Sequence, residues 1–208
     1  MNTKKCLIIT DVQKDFCPGG SLAVERGDII VPVINKILST KKFDKIIATQ
    51  DWHPQNHRSF ASNNAGHKAF DIVKSSSGIN VLWPDHCVQG TYGAQFHDAL
   101  DQNPLNIILR KGSNPELDSY STFLENDKTT PTGLTGYLRE HGITTVYLCG
   151  IASDVCVFYS ALDAIHFGFK TFVIEDAVAG VDLPLGNIER NNIILKNNGV
   201  IFINSRNI

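Results

Sequence analysis

The fold is decided by the stretch "TTVYLCGIASDVCVFYSALDAIHFGFKTFVIED", residues 144–176. It begins with an apolar, β-branched run (144–150), continues with an amphipathic run (155–168) and ends with a second β-branched run (170–176). Short apolar runs bounded by glycine predict buried strands, and the longer amphipathic segment predicts a helix. A strand, a helix and a strand in this order predict two parallel strands joined by a crossover helix.

The same alternation extends over most of the chain. Further strands are predicted at 6–10, 44–50, 106–112 and 199–204, and further helices at 29–38, 133–142 and about 187–198. Strands that are apolar on both faces and separated by helices are typical of a parallel sheet covered on both sides. We therefore predict an α/β fold with a doubly wound, mostly parallel sheet, helices on both faces, and a single domain spanning residues 1–208.

Residues 51–104 interrupt this pattern, because they are rich in Gly, Ser, Asn and Pro and show little apolar periodicity. Loops of this length in a compact domain are usually functional or disordered. Two tryptophans and the block "WPDHC" (83–87) favour an ordered, functional insertion.

Composition narrows the class of partner. The 208 residues carry a formal net charge of −2 and no cluster of lysine and arginine, which argues against nucleic acid or an anionic membrane surface as a partner. The apolar stretch 6–10 is shorter than a signal-peptide core, and no stretch approaches the roughly 20 apolar residues of a membrane span. We expect a cytoplasmic protein that binds a small molecule, with the formation of a homo-oligomer left open.

Reactive side chains follow the predicted strands at the end where ligands of parallel sheets bind. The first strand leads to Asp11, the second to Asp51 and His53, the third to Lys111, and the fourth leads through "GIASDVC" (150–156) to Cys156. We therefore expect an acid, a metal-binding cluster, a lysine and a cysteine to converge on one rim of the sheet.

Cys156 is predicted near the start of a helix, where the helix dipole and a neighbouring Lys111 lower the pKa of a thiol. This predicts a thiolate at neutral pH, with Asp11 as the group that carries the proton. Backbone N–H groups of the turn before Cys156 could bind an oxyanion. The alternative is a buried helix cysteine, a surface lysine and a loop aspartate, and it is the combination of the three residues that favours a catalytic site.

The block "DWHP" (51–54) has the ligand chemistry of a divalent metal site but supplies only two donors, Asp51 and His53. His86 in "WPDHC" completes a set of one carboxylate and two imidazoles, which suits Zn, Fe or Mn. His57 is either a fourth ligand or a histidine that stabilises the loop. Cys87 is interpreted as a packing residue, and the remaining histidines are interpreted as surface or core residues: His67, His97, His141 and His166.

Five motifs together resemble the nicotinamidases of the isochorismatase-like cysteine hydrolase superfamily. They are "DVQKDFCPGGSLAV" (11–24), "TQDWHPQNHRSFAS" (49–62), "WPDHCVQGTYGAQFH" (83–97), "RKGSNPELDSYSTF" (110–123) and "GIASDVCV" (150–157). The resemblance implies a catalytic triad of Asp11, Lys111 and Cys156, metal ligands Asp51, His53 and His86, a ring pocket of Phe16, Trp83 and Tyr120, and an oxyanion hole at the N–H groups of Ala152 and Cys156. It also implies a cis peptide before Ala152. One departure is "SDVC" (153–156), where relatives more often have Thr and an aromatic residue before the cysteine.

The activity implied by this resemblance is hydrolysis of nicotinamide to nicotinate and ammonia through a cysteine thioester, in NAD salvage in the cytoplasm. One divalent metal is implied as cofactor, with Zn the first choice and Fe or Mn the alternatives. Three other functions remain open: a related amidase acting on another small amide or ureido compound, a metal- or ligand-binding protein without chemistry, and a redox protein. The last lacks a resolving cysteine adjacent to Cys156.

Overall fold

The computed structural model of this chain describes residues 3–75 and 78–208. The strands in this part of the chain are β1 (Lys4–Thr10), β2 (Lys45–Asp51), β3 (Ile72–Ser75), β4 (Gly78–Val81), β5 (Ile107–Lys111), β6 (Ile143–Ile151), β7 (Lys170–Ala179) and β8 (Ile201–Ile203). The α-helices are α1 (Val31–Ser39), α2 (Leu134–Glu140), α3 (Cys156–His166) and α4 (Asn187–Asn197).

Six of the strands form one sheet in the order β5-β2-β1-β6-β7-β8. Every neighbouring pair in this sheet is parallel. The first two crossings move outward from β1 through β2 to β5, and the chain then returns to the other side of β1. The prediction of a doubly wound parallel sheet is confirmed.

The two faces of the sheet bury two separate cores. Side chains of a strand point alternately to opposite faces, and β1 follows this rule with four fully buried apolar residues. Leu7 and Ile9 pack on the side covered by α1, whereas Cys6 and Ile8 pack on the side covered by α2, α3 and α4. Among the described residues, no helix has the length and apolar content that a membrane crossing requires.

The described part of the insertion, residues 51–75 and 78–104, is ordered, as predicted, but contains an element that was not predicted. Strands β3 and β4 pair antiparallel in a separate two-stranded sheet. Each has only four residues, and Ile72 is 71% exposed, so the sequence lacks the buried alternation by which a strand is recognised. Backbone hydrogen bonds connect the two halves of the insertion. The N–H of Ala61 donates to the carbonyl of Trp83 at 2.8 Å, and the N–H of Trp83 donates to the carbonyl of Ser59 at 2.7 Å.

Leu148 lies in the central strand β6 with no exposed surface. Replacing it by Ala should lower the free energy of unfolding by about 2–5 kcal/mol, because transfer and cavity costs add at a site that cannot collapse. The matched control is Leu185→Ala, since Leu185 is 87% exposed; the change there should stay within about 0.5 kcal/mol. Urea denaturation of both variants measures the difference, and equal losses would contradict the assignment of the core.

Candidate active site

Four side chains with reactive chemistry meet at the carboxyl edge of the sheet. The neighbouring strands β5, β2, β1 and β6 end at, or lead directly to, Lys111, Asp51, Asp11 and Cys156. All four side chains are buried. The predicted convergence of an acid, a lysine and a cysteine on one rim is therefore present in the structure.

Lys111 lies at the centre of this group. Its ammonium is 2.9 Å from Oδ2 of Asp11 and contacts Oδ1 of Asp51. It also donates to the carbonyl of Ser119 at 2.9 Å and lies 3.6 Å from Sγ of Cys156. Burial acts to lower the pKa of Lys111, but the two carboxylates outweigh burial and hold this pKa well above its usual value. Lys111 is therefore a fixed cation between two acids.

Asp11 is oriented by Thr49. The Thr49 hydroxyl donates to Oδ1 of Asp11 at 2.6 Å and accepts from its backbone N–H at 3.2 Å. The backbone of Asp11 is left-handed, with φ of 49°. Burial raises the pKa of Asp11 more than Lys111 lowers it, and a carboxylate with a raised pKa is the better proton acceptor.

Cys156 is the first residue of α3, as predicted, and its sulfur lies within 4.8 Å of a carboxylate oxygen of Asp11. Burial raises the pKa of the thiol well above its usual value; Lys111 acts in the opposite direction, but Asp11 and Asp51 add to the rise. The expectation of a thiolate at neutral pH was wrong for the resting site, because it counted the lysine and neglected burial and two carboxylates. The thiol keeps its proton until a base removes it.

Asp51, His53 and His86 present one donor atom each within 4.8 Å of one another. Oδ2 of Asp51 lies 3.7 Å from Nε2 of His53 and 3.9 Å from Nε2 of His86. The Nδ1 atoms donate to backbone carbonyls at 2.8 Å, that of His53 to Gly112 and that of His86 to Pro84. Because a carbonyl can only accept, each Nδ1 carries a proton and each Nε2 faces the carboxylate, which is the usual arrangement of metal-binding histidines.

The pKa values of the His53 and His86 imidazoles are shifted in opposite directions. Burial and the neighbouring His53 lower the pKa of His86 to about 4, so His86 is neutral at pH 7. Burial acts to lower the pKa of His53, but Asp51 raises it above its usual value. One carboxylate and two imidazoles in this arrangement fit a divalent cation with open positions.

His57 is buried beside His53, with the ring centroids 4.4 Å apart. Its Nδ1 lies 2.7 Å from the hydroxyl of Ser59, and its Nε2 lies 3.4 Å from the carbonyl of Leu117. Together with His53 and Asp118 it forms a second group of three donors within 4.8 Å. Since both nitrogens contact loop residues, the structure favours the interpretation of His57 as a loop-stabilising histidine.

Two residues of the segment after β1 support the group of candidate metal ligands, and sequence reasoning missed both. The buried amide of Gln13 accepts from the N–H of Asp51 at 2.9 Å and donates to its carbonyl at 2.8 Å. Oδ2 of Asp15 accepts from the N–H of Cys87 at 2.7 Å, where the backbone is left-handed with φ of 46°. Both thus fix the backbone at or next to a predicted ligand.

A small, mostly apolar pocket opens onto Cys156 and has a free volume of about 30 Å³. It contains the three predicted ring-binding residues, and Nε1 of Trp83 donates to the hydroxyl of Tyr120 at 3.2 Å. Further lining residues were not predicted, because they stand in loops without periodicity. The pocket is lined by Phe16, Leu22, Val24, Asp51, Trp83, His86, Asp118, Tyr120, Ala152, Val155, Cys156 and Val181.

The loop that precedes Cys156 contributes Ala152 and Val155 to the lining of this pocket. The peptide between Ile151 and Ala152 is cis, as the resemblance implies. In the part of the chain that the structure describes, the N–H groups of Ala152 and Cys156 have no backbone acceptor. Both residues line the pocket. Two N–H groups without a backbone partner are what an oxyanion hole requires, and the assignment of this role to Ala152 and Cys156 stays a prediction.

Comparison with known proteins agrees with this fold. The Isochorismatase domain model matches residues 5–187. The chain is 49% identical to the nicotinamidase of Acinetobacter baylyi over 202 residues, which is 97% of this chain and 93% of that protein. The chain therefore belongs to the isochorismatase family.

Two solved structures extend the comparison. The nicotinamidase/pyrazinamidase of Acinetobacter baumanii superposes with a TM-score of 0.95 at 48% identity, covering 100% of this chain and 99% of that one. The pyrazinamidase of Pyrococcus horikoshii in complex with zinc superposes with a TM-score of 0.77 at 35% identity, covering 97% and 99%. The whole chain, including the insertion, thus follows a known architecture.

Replacing Lys111 by Met should leave Asp11 and Asp51 as buried carboxylates without a cation. We expect the free energy of unfolding to fall by about 3–5 kcal/mol, as when one partner of a buried ion pair is removed. Lys128→Met is the matched control, because the pair of Lys128 with Asp163 is 3.2 Å long but the lysine is 46% exposed; its loss should be at most about 1 kcal/mol.

The double variant Lys111→Met with Asp11→Asn should recover part of the loss, since it removes one of the two uncompensated charges. Chemical denaturation at pH 7 measures all three variants. A Lys111→Met variant as stable as Lys128→Met would show that the buried lysine does not balance the two acids.

Proposed function

We propose that this chain hydrolyses nicotinamide to nicotinate and ammonia, with Cys156 as nucleophile. The observation that carries the proposal is that Cys156, Asp51 and His86 line one small pocket. The buried Lys111 contacts Cys156, Asp11 and Asp51. A cysteine site alone would serve many amides, whereas a divalent cation held by the adjoining imidazole and carboxylate donors would favour a substrate with a ring nitrogen. The likeness over nearly the full length to a nicotinamidase supports the same substrate.

In the first half-reaction, the amide carbon of the substrate lies against Sγ of Cys156 and the ring lies between Phe16 and Trp83, where aromatic contact holds it. Asp11 takes the thiol proton as the S–C bond forms. Lys111 stabilises the sulfur charge as it develops, which is the role left to it by the raised pKa of the thiol. The N–H groups of Ala152 and Cys156 receive the negative charge of the carbonyl oxygen.

Asp11 then returns the proton to the amide nitrogen, the C–N bond breaks and ammonia leaves, so that Cys156 carries a thioester. In the second half-reaction, water attacks the thioester carbon while Asp11 accepts a water proton. The C–S bond breaks, Asp11 gives the water proton to the sulfur, and nicotinic acid leaves and loses its own proton to solvent to become nicotinate. One water is consumed, and Asp11 ends in its starting state.

The donor set supports a metal-containing enzyme, with Asp51, His53 and His86 as the three protein ligands. A bound divalent cation would supply a Lewis-acidic position for the pyridine nitrogen and for water. Zinc is the first choice, with iron or manganese as alternatives, and the zinc complex of the Pyrococcus horikoshii pyrazinamidase supports this order. Orientation of the ring would thus be separate from the acyl chemistry of Cys156.

The other functions left open by the sequence are less well supported. A non-catalytic binding protein would not require a buried Lys111 in contact with both Asp11 and Cys156. A redox protein would need a second thiol near Cys156, and all five cysteines are buried and unpaired. Nicotinamide, benzamide and a ureido compound assayed side by side separate the nicotinamidase from a related amidase. The proposed reaction would place the enzyme in NAD salvage, in the cytoplasm, with homo-oligomer formation still open.

Replacing Cys156 by Ala should abolish ammonia release from nicotinamide, by about 10⁴-fold or more, because the covalent route is lost. Metal content should stay unchanged, since the sulfur is outside the proposed ligand set. Cys6→Ala is the control: Cys6 is equally a buried cysteine but lies in the first half of β1. Turnover by Cys156→Ala comparable to that of Cys6→Ala would end the proposal of covalent catalysis.

Metal binding can be tested through Gly112, which has φ of 65° and whose added Cβ would lie 2.5 Å from Cε1 of His53. Gly112→Ala should push the imidazole of His53 aside and weaken metal affinity by about 10- to 100-fold, as when the support of a ligand is removed. Gly168→Ala is the control, because Gly168 has φ of 85° with nothing near its Cβ position.

The readout is metal content after equilibrium dialysis against graded concentrations of Zn²⁺, which does not depend on catalysis. Both variants carry backbone strain, which the control therefore accounts for. Only Gly112→Ala also displaces His53, so only this variant should lose metal. Equal metal affinity of the two variants would contradict the assignment of His53 as a ligand.

A further inference from the structure

Two loops next to Cys156 contribute residues to the pocket and contact each other. The nucleophile loop (150–156) connects β6 to α3, and the roof loop (180–187) connects β7 to the first residue of α4. The nucleophile loop contributes Ala152, Val155 and Cys156 to the pocket, and the roof loop contributes Val181. The distance between the loops therefore sets one dimension of a pocket with little free space.

Asp154 of the nucleophile loop holds the roof loop. Its side chain is buried and accepts from the N–H groups of Val181 and Asp182, each at 2.9 Å, and from the amide of Asn187 at 3.1 Å. Its backbone carbonyl accepts from the amide of Asn191 at 2.9 Å. All three side-chain hydrogen bonds of Asp154 cross from one loop to the other.

Close approach at Gly180 adds a steric constraint to these bonds. A Cβ at this position would lie 2.3 Å from the hydroxyl oxygen of Ser153 and 2.8 Å from Oδ1 of Asp154. The N–H of Ser153 also donates to the carbonyl of Ala179 at 2.8 Å. Ser153 is thus hydrogen-bonded to the end of β7, and Asp154 is hydrogen-bonded to the roof loop.

We infer that Asp154 is a positioning residue for catalysis: by fixing the nucleophile loop to the roof loop, it places the oxyanion donors and Cys156 relative to Val181. The inference rests on the proposed function. Asp154 does not line the pocket, so it acts through the backbone. A charged acceptor is suited to this role, because hydrogen bonds to a carboxylate are about twice as strong as those between neutral groups.

A merely structural anchor would make a different prediction from a positioning residue. Loss of an anchor lowers stability and weakens all ligands of the pocket alike. Loss of positioning weakens most the binding of ligands that use the oxyanion donors. Donors misplaced by a fraction of an ångström stabilise the negative charge on the ligand oxygen less well, whereas contacts to the ring are little affected.

Nicotinaldehyde and nicotinate separate the two cases. With the aldehyde, Sγ of Cys156 bonds to the carbonyl carbon, the π electrons move to oxygen, and the thiol proton passes to that oxygen. The new tetrahedral oxygen lies where the oxyanion donors point. Nicotinate carries the same ring without forming this adduct, so the ratio of the two inhibition constants reports on the oxyanion donors.

The variant is Asp154→Asn, which keeps the size of the side chain but turns an N–H₂ group toward backbone donors. We expect kcat/KM for ammonia release from nicotinamide to fall by about 10- to 100-fold, mostly in kcat. Inhibition by nicotinaldehyde should weaken about 10-fold or more, while inhibition by nicotinate changes by less than about 3-fold.

Asp182→Asn is the matched control. Asp182 stands in the same loop and its carboxylate accepts from the N–H of Ile188 at 3.0 Å, but its side chain has no hydrogen bond to the described nucleophile loop. Its φ of 54° is one that Asn tolerates. We expect this variant to change kcat/KM and the inhibitor ratio by less than about 2-fold, which is within the usual effect of a surface substitution.

Several outcomes would overturn the inference: equal kinetics of the two variants, or a parallel weakening of nicotinaldehyde and nicotinate by Asp154→Asn. If Asp154→Asn does not fold, Asn187→Ala removes only one of the three donors and should shift the inhibitor ratio in the same direction by a smaller factor. If the wild type releases no ammonia yet its nicotinaldehyde affinity depends on Asp154, the proposed function fails while the positioning role stands.

Discussion

The buried ammonium of Lys111 is the interaction on which the site depends. It contacts both Asp11 and Asp51, and it acts to lower the pKa of each buried carboxyl group, which favours the ionised form. Asp11 belongs to the proposed acyl chemistry and Asp51 to the proposed metal site. A single cation therefore joins two sets of residues that serve different parts of the reaction.

This arrangement explains why the site lies where it does. Four adjacent parallel strands end at one edge. A buried charge network requires side chains that enter from several directions and have little conformational freedom. Strand ends supply such rigid attachment points, whereas the insertion supplies the second imidazole, His86, and the aromatic ring of Trp83. The backbone bond from His53 to the carbonyl of Cys87 at 3.1 Å ties the two sources together.

Most of the fold could be predicted from the sequence, because the six sheet strands and four helices have strong apolar periodicity and their observed ends lie within three residues of the prediction. The rim residues could be predicted for the same reason, since Asp11, Asp51 and Lys111 follow directly from strand ends. The hairpin β3–β4 could not, because its strands are short and Ile72 is exposed. The raised pKa of Cys156 could not either, because burial depends on all neighbours at once.

The segment between Asp11 and Phe16 has a consequence for how this chain can vary. Asp11 contacts Lys111, and Gln13 hydrogen-bonds to the backbone of Asp51. Asp15 accepts from the backbone N–H of Cys87, and Phe16 lines the pocket. The intervening Val12 and Lys14 can be exchanged for residues of similar character. An insertion or deletion of a single residue, however, would displace several of these partners together. The length of this segment is therefore under stricter constraint than its composition, and neutral drift here should proceed by substitution alone.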